Sequence, residues 1–135
     1  MNLSSGNLTF LFTDIEGSTR LWEQYPEVMR HALAAHDFMM RQAIEAHGGQ
    51  VFKTMGDAFY AAFADPMAAT AAALAAQRDL MTADWGELGS LRVRVALHSG
   101  IVEARDGDFF GPPLNRVARL LGVGHGGQVL LSNTI

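Results

Sequence analysis

The sequence of 135 residues contains no cysteine. Disulfides, thiolate nucleophiles and cysteine-ligated metals are therefore excluded, and the composition is compatible with a reducing cytoplasm. No apolar run approaches the ~20 residues that a membrane-spanning helix needs. The first residues also lack the basic and apolar regions of a secretory signal. We therefore expect a cytoplasmic protein with no membrane segment in this chain.

Basic residues are also few, because ten Lys and Arg stand against fourteen Asp and Glu, a formal net charge of −4. The basic residues are scattered and form no run, which argues against a nucleic acid as partner. With 49% hydrophobic and 18% charged residues, the composition is that of a globular protein. The length favours one domain over residues 1–135.

Apolar periodicity predicts a mixed series of strands and helices. The predicted strands are residues 8–13, 50–54, 58–63, 91–97 and 128–132, the predicted helices are 26–47, 66–81 and 112–122, and a hairpin arm is predicted at 101–109 with its turn near Asp106-Gly107. The first six elements follow the order of the split βαβ unit of ferredoxin-like folds. The sequence therefore predicts an α+β fold: a palm-like, ferredoxin-like βαββαβ core with an additional C-terminal helix and strand.

Several polar residues lie at positions where they could take part in catalysis or ligand binding. Asp14 and Asp57 each follow a short apolar run and lie near a glycine, which singly is more typical of a turn. Together, two carboxylates at the ends of neighbouring strands could share divalent cations that hold a polyphosphate and activate an oxygen nucleophile. Asn115 and Arg119 share one helix face, and Lys53 is an unusual charge in an apolar strand. By themselves, Asn115 and Arg119 are more typical of a solvated helix face, and Lys53 could lie at a sheet edge with its ammonium in solvent.

Three segments carry the most specific pattern. They are Phe12-Thr13-Asp14-Ile15-Glu16-Gly17-Ser18-Thr19, Lys53-Thr54-Met55-Gly56-Asp57 and Asp108-Phe109-Phe110-Gly111-Pro112-Pro113-Leu114-Asn115-Arg116-Val117-Ala118-Arg119. In this order and at these separations they resemble the class III nucleotidyl cyclases, the adenylate and guanylate cyclase family. The resemblance covers residues 9–132. Because the family continues past its last matching strand here, the resemblance implies a catalytic domain truncated at the C-terminus, within a longer protein that could carry regulatory or effector domains.

The resemblance also implies a role for each matching residue. It implies metal binding by Asp14, Asp57 and the Ile15 carbonyl, triphosphate binding by the loop of Glu16, Gly17 and Ser18, base recognition by Lys53 and Asp108, ribose orientation by Asn115, and transition-state stabilisation by Arg119. The implied cofactors are two divalent cations, Mg²⁺ or Mn²⁺. The implied reaction converts ATP into 3′,5′-cyclic AMP and pyrophosphate, in a head-to-tail homodimer whose active sites are shared between the two chains.

The base-reading pair favours adenine on chemical grounds as well. Lysine only donates hydrogen bonds and an ionised aspartate only accepts them, so Lys53 and Asp108 complement the N1 acceptor and the N6 amino group of adenine. Guanine would set donor against donor and acceptor against acceptor. We therefore expect ATP to be preferred over GTP.

Other functions stay open at this point. A catalytically silent member of the same fold would act as a nucleotide-binding or dimerisation module, and a guanylate cyclase would share the fold. A metal-dependent phosphodiesterase or a polymerase-like palm enzyme would also use two aspartates on such a sheet. Those last two would leave Lys53, Asp108, Asn115 and Arg119 without coordinated roles.

Overall fold

A computed structural model describes residues 3–135, in which helices alternate with strands. The elements in chain order are β1 (Gly6–Ile15), α1 (Ser18–Gln24), α2 (Pro26–Ala46), β2 (Gln50–Met55), β3 (Ala58–Phe63), α3 (Pro66–Thr82), a 3₁₀ turn (Gly86–Leu88), β4 (Val93–Arg105), β5 (Asp108–Phe110), α4 (Pro112–Gly122) and β6 (Val129–Leu131). The structure confirms the α+β class. Among the described residues, no helix combines the length and the hydropathy that a bilayer crossing requires.

The sheet has the order β2-β3-β1-β4, with β5 and β6 paired to β4. β1 is antiparallel to both of its neighbours, β3 and β4, and β2 is antiparallel to β3. It follows that β1 and β2 are parallel to each other, as are β3 and β4, and that one strand separates the members of each pair. α2 and α3 make these two crossovers, which confirms the predicted pair of split βαβ units.

The two faces of the sheet are covered differently. Successive side chains of a strand point to opposite faces, so Leu11 and Ile15 of β1 pack beneath α2 and α3, whereas Phe10 and Phe12 pack on the other face against α4. α3 lies close to the sheet because its inward side chains are small. These buried alanines are Ala69, Ala72, Ala73 and Ala76. The α4 face has less helical cover, and the predicted polar site residues lie on it or at its end.

β4 departs most from the sequence-based expectation. A strand at 91–97 and a separate arm from 101 were predicted, but β4 runs without a break from Val93 to Arg105. Its pairing with β1 extends from Ile15–Val93 to Gly6–Val102. This ladder includes His98, Ser99 and Gly100, which lie between the two predicted segments, and so keeps them in strand conformation. The turn predicted near Asp106-Gly107 is confirmed, and both of its residues have positive φ.

Two smaller differences concern the ends of elements. A separate seven-residue helix, α1, precedes α2, because the chain bends at Tyr25 before Pro26 begins the longer helix. The last strand is confined to Val129–Leu131 and pairs with β4 in parallel. The predicted core elements and their order are otherwise confirmed.

Gly49, between α2 and β2, provides a test of core packing. A Cβ at this position would lie 2.4 Å from Cζ of Phe63 and 2.8 Å from Cγ2 of Ile44. We expect Gly49→Ala to lower the free energy of unfolding by about 1–3 kcal/mol, as overpacking does, measured by urea denaturation. Gly122→Ala is the matched control, because a Cβ there meets nothing within 4 Å. Equal effects of the two substitutions would contradict the packing described for Gly49.

Candidate functional site

Asp14 and Asp57 lie at the same end of the sheet. Asp14 is near the end of β1, and Asp57 lies in the turn between β2 and β3. The Asp57 carboxylate accepts a hydrogen bond from the Ile15 backbone N–H at 3.0 Å. This bond ties the β2–β3 turn to the end of β1, so the structure brings together the three residues that the sequence proposes as metal ligands.

Arg94 is a neighbour of Asp14 that the sequence analysis missed as a site residue. It lies opposite Asp14 in the β1–β4 ladder, and its guanidinium donates through Nε to Oδ1 at 2.7 Å and through Nη2 to Oδ2. The hydrogen bond to Asp14 raises the pKa of Arg94 despite partial burial, with help from the charges of Asp14, Glu16 and Asp57. The sequence signal for Arg94 is its alternation with valines in the predicted strand 91–97, and this pattern by itself indicates only a strand with one more polar face.

The donors at this end of the sheet fit a hard divalent cation. Two carboxylates and a backbone carbonyl are oxygen ligands, which Mg²⁺ and Mn²⁺ favour. Within residues 3–135, no three His, Cys, Asp or Glu side chains form a closed metal cage. Substrate and water oxygens would therefore complete the coordination, as is usual for Mg²⁺. Arg94 already pairs with Asp14, so a cation bound here would share that carboxylate with the guanidinium or displace it.

The loop from Glu16 to Ser18 adjoins the two aspartates. Gly17 has φ 68°, a left-handed conformation that favours glycine, and its carbonyl accepts the first hydrogen bond of α1, from Leu21. Glu16 is held at both its backbone and its side chain. Its N–H donates to the Arg92 carbonyl at 2.8 Å, and its carboxylate accepts the N–H of Gly126. The loop is therefore placed beside the carboxylates, while the Glu16 side chain is directed to the segment before β6.

Lys53 and Asp108 form an ion pair, with 2.9 Å between Nζ and Oδ2. Lys53 is on β2 and Asp108 on β5, and β3 and β1 separate β2 from β4 in the sheet. The β4–β5 arm must therefore reach over the sheet to bring Asp108 to Lys53. Burial alone would raise the pKa of Asp108. The pKa is nevertheless lowered, because the carboxylate accepts hydrogen bonds from Lys53 and from the Phe109 N–H and lies beside the positive charge of Lys53.

A cavity of about 250 Å³ opens beside this ion pair. Its lining includes Lys53, Asp108 and Asn115, with aromatic walls from Phe12, Phe52 and Tyr60. The structure thus brings Asn115 to the base-reading pair that the sequence proposed. Arg119 lies one turn further along α4, exposed to solvent, and makes no ion pair within the described part of the chain.

The proposed site residues fall into two groups within one chain. Lys53, Asp108 and Asn115 line the cavity, and neither Asp14 nor Asp57 does. Asp14 and Asp57 are instead tied to Arg94 and Ile15 at the end of β1. A single chain therefore presents a base-sized cavity and a carboxylate cluster as separate features.

The sequence matches the family described as the adenylate and guanylate cyclase catalytic domain over residues 2–135. An uncharacterized protein of Mycobacterium tuberculosis is 43% identical over 130 residues, which are 95% of this chain and 43% of that protein. The adenylate cyclase of Lachancea kluyveri is 37% identical over 156 residues, covering 96% of this chain and 8% of the relative. The chain thus spans less than half the length of these relatives.

Solved structures show the same fold. A monomeric-state structure of adenylate cyclases from Trypanosoma brucei superposes with a TM-score of 0.90 at 31% identity, covering 96% of this chain and 73% of that chain. An adenylate/guanylate cyclase/hydrolase from Silicibacter pomeroyi gives a TM-score of 0.82 at 27% identity, covering 97% of this chain and 78% of that chain. The similarity confirms the palm-like fold expected from the sequence.

The pKa of Asp108 provides a test of the ion pair. Lys53→Met removes the partner and leaves the burial, so we expect the pKa of Asp108 to rise, measured by NMR titration of the carboxyl carbon. Because folding lowers this pKa, the stabilisation is present above the ordinary carboxyl pKa and is lost as the pH falls through the folded value. Without Lys53 the folded and unfolded pKa values should lie closer together, so this pH-dependent stabilisation should be smaller.

Arg105→Met is the matched control for this measurement. Arg105 lies opposite Asp108 in the β4–β5 pairing, but its guanidinium stacks on Phe110, 4.4 Å from the ring centroid. Its removal should therefore leave the pKa of Asp108 unchanged. If Lys53→Met also left that pKa unchanged, the ion pair would not exist in solution.

Proposed function

Because this chain belongs to the adenylate and guanylate cyclase family, we propose that it is the catalytic domain of a lyase that converts ATP into 3′,5′-cyclic AMP and pyrophosphate. The observation that supports this substrate best is the Lys53–Asp108 pair at the mouth of an aromatic cavity that also contains Asn115. The curated relatives are much longer than this chain. The activity and regulation of the whole protein, and its expected location in the cytoplasm, are therefore part of the proposal.

Recognition of adenine follows from the hydrogen-bonding capacity of the pair. The Lys53 ammonium would donate to N1, and the Asp108 carboxylate would accept from the N6 amino group. The lowered pKa of Asp108 keeps this carboxylate ionised, and so an acceptor, at neutral pH. Phe12 and Tyr60 supply apolar walls suited to a purine ring. Each mismatch with guanine would leave a polar group unpaired, at a cost of about 1–3 kcal/mol.

Phosphate chemistry is proposed for the carboxylate end of the sheet. Two Mg²⁺ or Mn²⁺ ions bound by Asp14, Asp57 and the Ile15 carbonyl would supply Lewis-acid activation of the ribose 3′-hydroxyl and neutralise triphosphate charge. The Glu16–Ser18 loop would lie along the triphosphate. Arg94, beside Asp14, would be a further donor for a phosphate oxygen.

Cyclisation requires one bond to form and one to break at the α-phosphorus. The ribose 3′-oxygen attacks this atom, the bond to the pyrophosphate oxygen breaks, and the hydroxyl proton leaves to solvent. Asn115 would orient the ribose for this attack. The Arg119 guanidinium would donate hydrogen bonds to the α-phosphate oxygens, where negative charge develops in the transition state.

The two groups of site residues support a head-to-tail homodimer. Lys53, Asp108, Asn115 and Arg119 of one chain would complete the site begun by Asp14 and Asp57 of the other. A two-fold axis would then create two equivalent sites. Met55, 65% exposed at the rim of the cavity, is an apolar side chain that such an interface would cover.

Mixing two inactive variants tests both the activity and the shared site. The unaltered chain should convert ATP into equal amounts of cyclic AMP and pyrophosphate with Mg²⁺ or Mn²⁺. Asp57→Ala and Arg119→Ala should each lower turnover by about 100-fold or more. Because half of the dimers in an equimolar mixture are heterodimers with one intact site, mixing should restore about a quarter of the activity.

Other outcomes of this assay would favour the alternatives. Failure of the mixed variants to recover would contradict shared sites. If the unaltered chain bound ATP but formed no product, the silent nucleotide-binding module would be favoured. Hydrolysis of added cyclic AMP would favour a phosphodiesterase.

Nucleotide preference tests the assignment of the base-reading pair. Lys53→Glu combined with Asp108→Cys replaces the donor by an acceptor and removes the ionised acceptor. We expect the ATP-over-GTP ratio of kcat/KM, on the order of a hundredfold for two mismatches, to collapse or invert. Lys53→Arg with Asp108→Glu retains donor and acceptor and should retain the preference for ATP. Unchanged selectivity in the first variant would refute the assignment.

A further inference from the structure

The β2–β3 ladder contains an irregularity directly before Lys53. Val51 lies opposite Ala61, but the next pair is Lys53 with Tyr60, so Phe52 is an extra residue in β2. Such a β-bulge sets two residues of one strand against a single residue of its partner and can re-aim a side chain. Phe52 and Lys53 therefore share the position opposite Tyr60.

The bulge decides which face of the sheet Lys53 occupies. Opposed residues in a ladder share a face, and Tyr60 packs on the α4 face whereas Phe59 is buried beneath α2 and α3. In a regular ladder of the same residues, Phe52 would oppose Tyr60 and Lys53 would oppose Phe59. That would direct the Lys53 ammonium to the α2 and α3 side of the sheet, away from Asp108 and the cavity. The bulge places both Phe52 and Lys53 on the cavity face.

The Phe52 ring is part of a three-ring cluster formed by Phe10, Phe52 and Phe109. Its centroid lies 4.9 Å from that of Phe109 and 6.0 Å from that of Phe10, and those two rings lie 5.5 Å apart, all edge-to-face. Phe10 is fully buried in β1. The cluster therefore joins β2 and the β4–β5 arm to the central strand.

Two rings of the cluster belong to residues that adjoin the base-reading pair in sequence. Phe52 precedes Lys53, and Phe109 follows Asp108. The Phe109 N–H donates to Oδ1 of Asp108 at 2.7 Å, while Oδ2 of the same carboxylate faces Lys53 Nζ at 2.9 Å. A displacement of the Phe109 backbone would therefore move the carboxylate relative to the ammonium, and the ring packing holds that backbone in place.

We propose that Phe52 is a positioning residue for base recognition: as the bulged residue, its ring clamps Phe109 and thereby fixes Asp108 within reach of Lys53. This inference rests on the proposed function, because that function makes the pair a reader of adenine. Phe52 also lines the cavity, but it acts on the base-reading pair through Phe109 and takes no part in the chemical step. Removal of its ring should therefore reduce the preference for ATP over GTP more than it reduces kcat.

Two readouts test this role, and one of them needs no activity. In Phe52→Ala and in the milder Phe52→Leu, we expect the NMR-measured pKa of Asp108 to rise toward its ordinary value in the absence of nucleotide. The ATP-over-GTP ratio of kcat/KM should fall about tenfold, the value of one misplaced hydrogen bond, chiefly through a higher KM for ATP. Phe52→Tyr keeps the ring and should restore both readouts.

Phe110→Ala is the matched control, since Phe110 adjoins Phe109 but lies outside the cluster, stacked on Arg105. It should change neither readout. An unchanged pKa of Asp108 in the Phe52→Leu variant would overturn the positioning role, whether or not the chain is a cyclase. An equal loss of activity with ATP and GTP, at an unchanged ratio, would also overturn it, because a merely structural defect acts on both substrates. If the Phe52→Ala variant fails to fold, both readouts are taken from the Phe52→Leu variant.

Discussion

The pairing of β1 with β4 is the interaction on which the site depends most. The ladder runs from Ile15–Val93 to Gly6–Val102, with β1 central in the sheet and packed on both faces. At one end its register sets Arg94 opposite Asp14, and at the other it carries β4 into the arm that ends at Asp108. A slip of one residue would turn Arg94 to the opposite face. The burial of β1 therefore specifies both halves of the site.

Two ion pairs give the two halves different properties. Arg94 holds Asp14 through two hydrogen bonds, so this carboxylate is ordered and neutralised before any cation or phosphate arrives. Lys53 and Asp108 are paired but partly exposed, with side chains 44% and 28% accessible, and they present a donor and an acceptor side by side. In the proposed chemistry a cation would share the Asp14 carboxylate with Arg94 or displace the guanidinium. The Lys53–Asp108 pair already presents the donor and the acceptor that the adenine edge would need.

Much of the fold followed from local signals, and parts of the site did not. The helix predicted at 66–81 is present as α3, and the Asp65 carboxylate caps its start by accepting the Met67 N–H at 3.1 Å. Family resemblance implied that Lys53 and Asp108 read the base together, and the structure brings the two side chains into contact. The continuity of β4, the role of Arg94 and the bulge at Phe52 were missed. Each of these depends on a register between distant segments, which no local periodicity contains.

The sequence by itself determined the order of the elements and the chemical groups available to a site. These groups are carboxylates at strand ends, one lysine in an apolar strand, and an asparagine and an arginine on one helix face. Only the tertiary structure decided which of these groups meet. Asp14 meets Arg94 across 80 residues of chain, and Lys53 on β2 meets Asp108 on β5 although three strands separate β2 from β5 in the sheet order. The reason is physical. Residue type sets what a side chain can donate or accept, whereas sheet register and core burial set what lies opposite it.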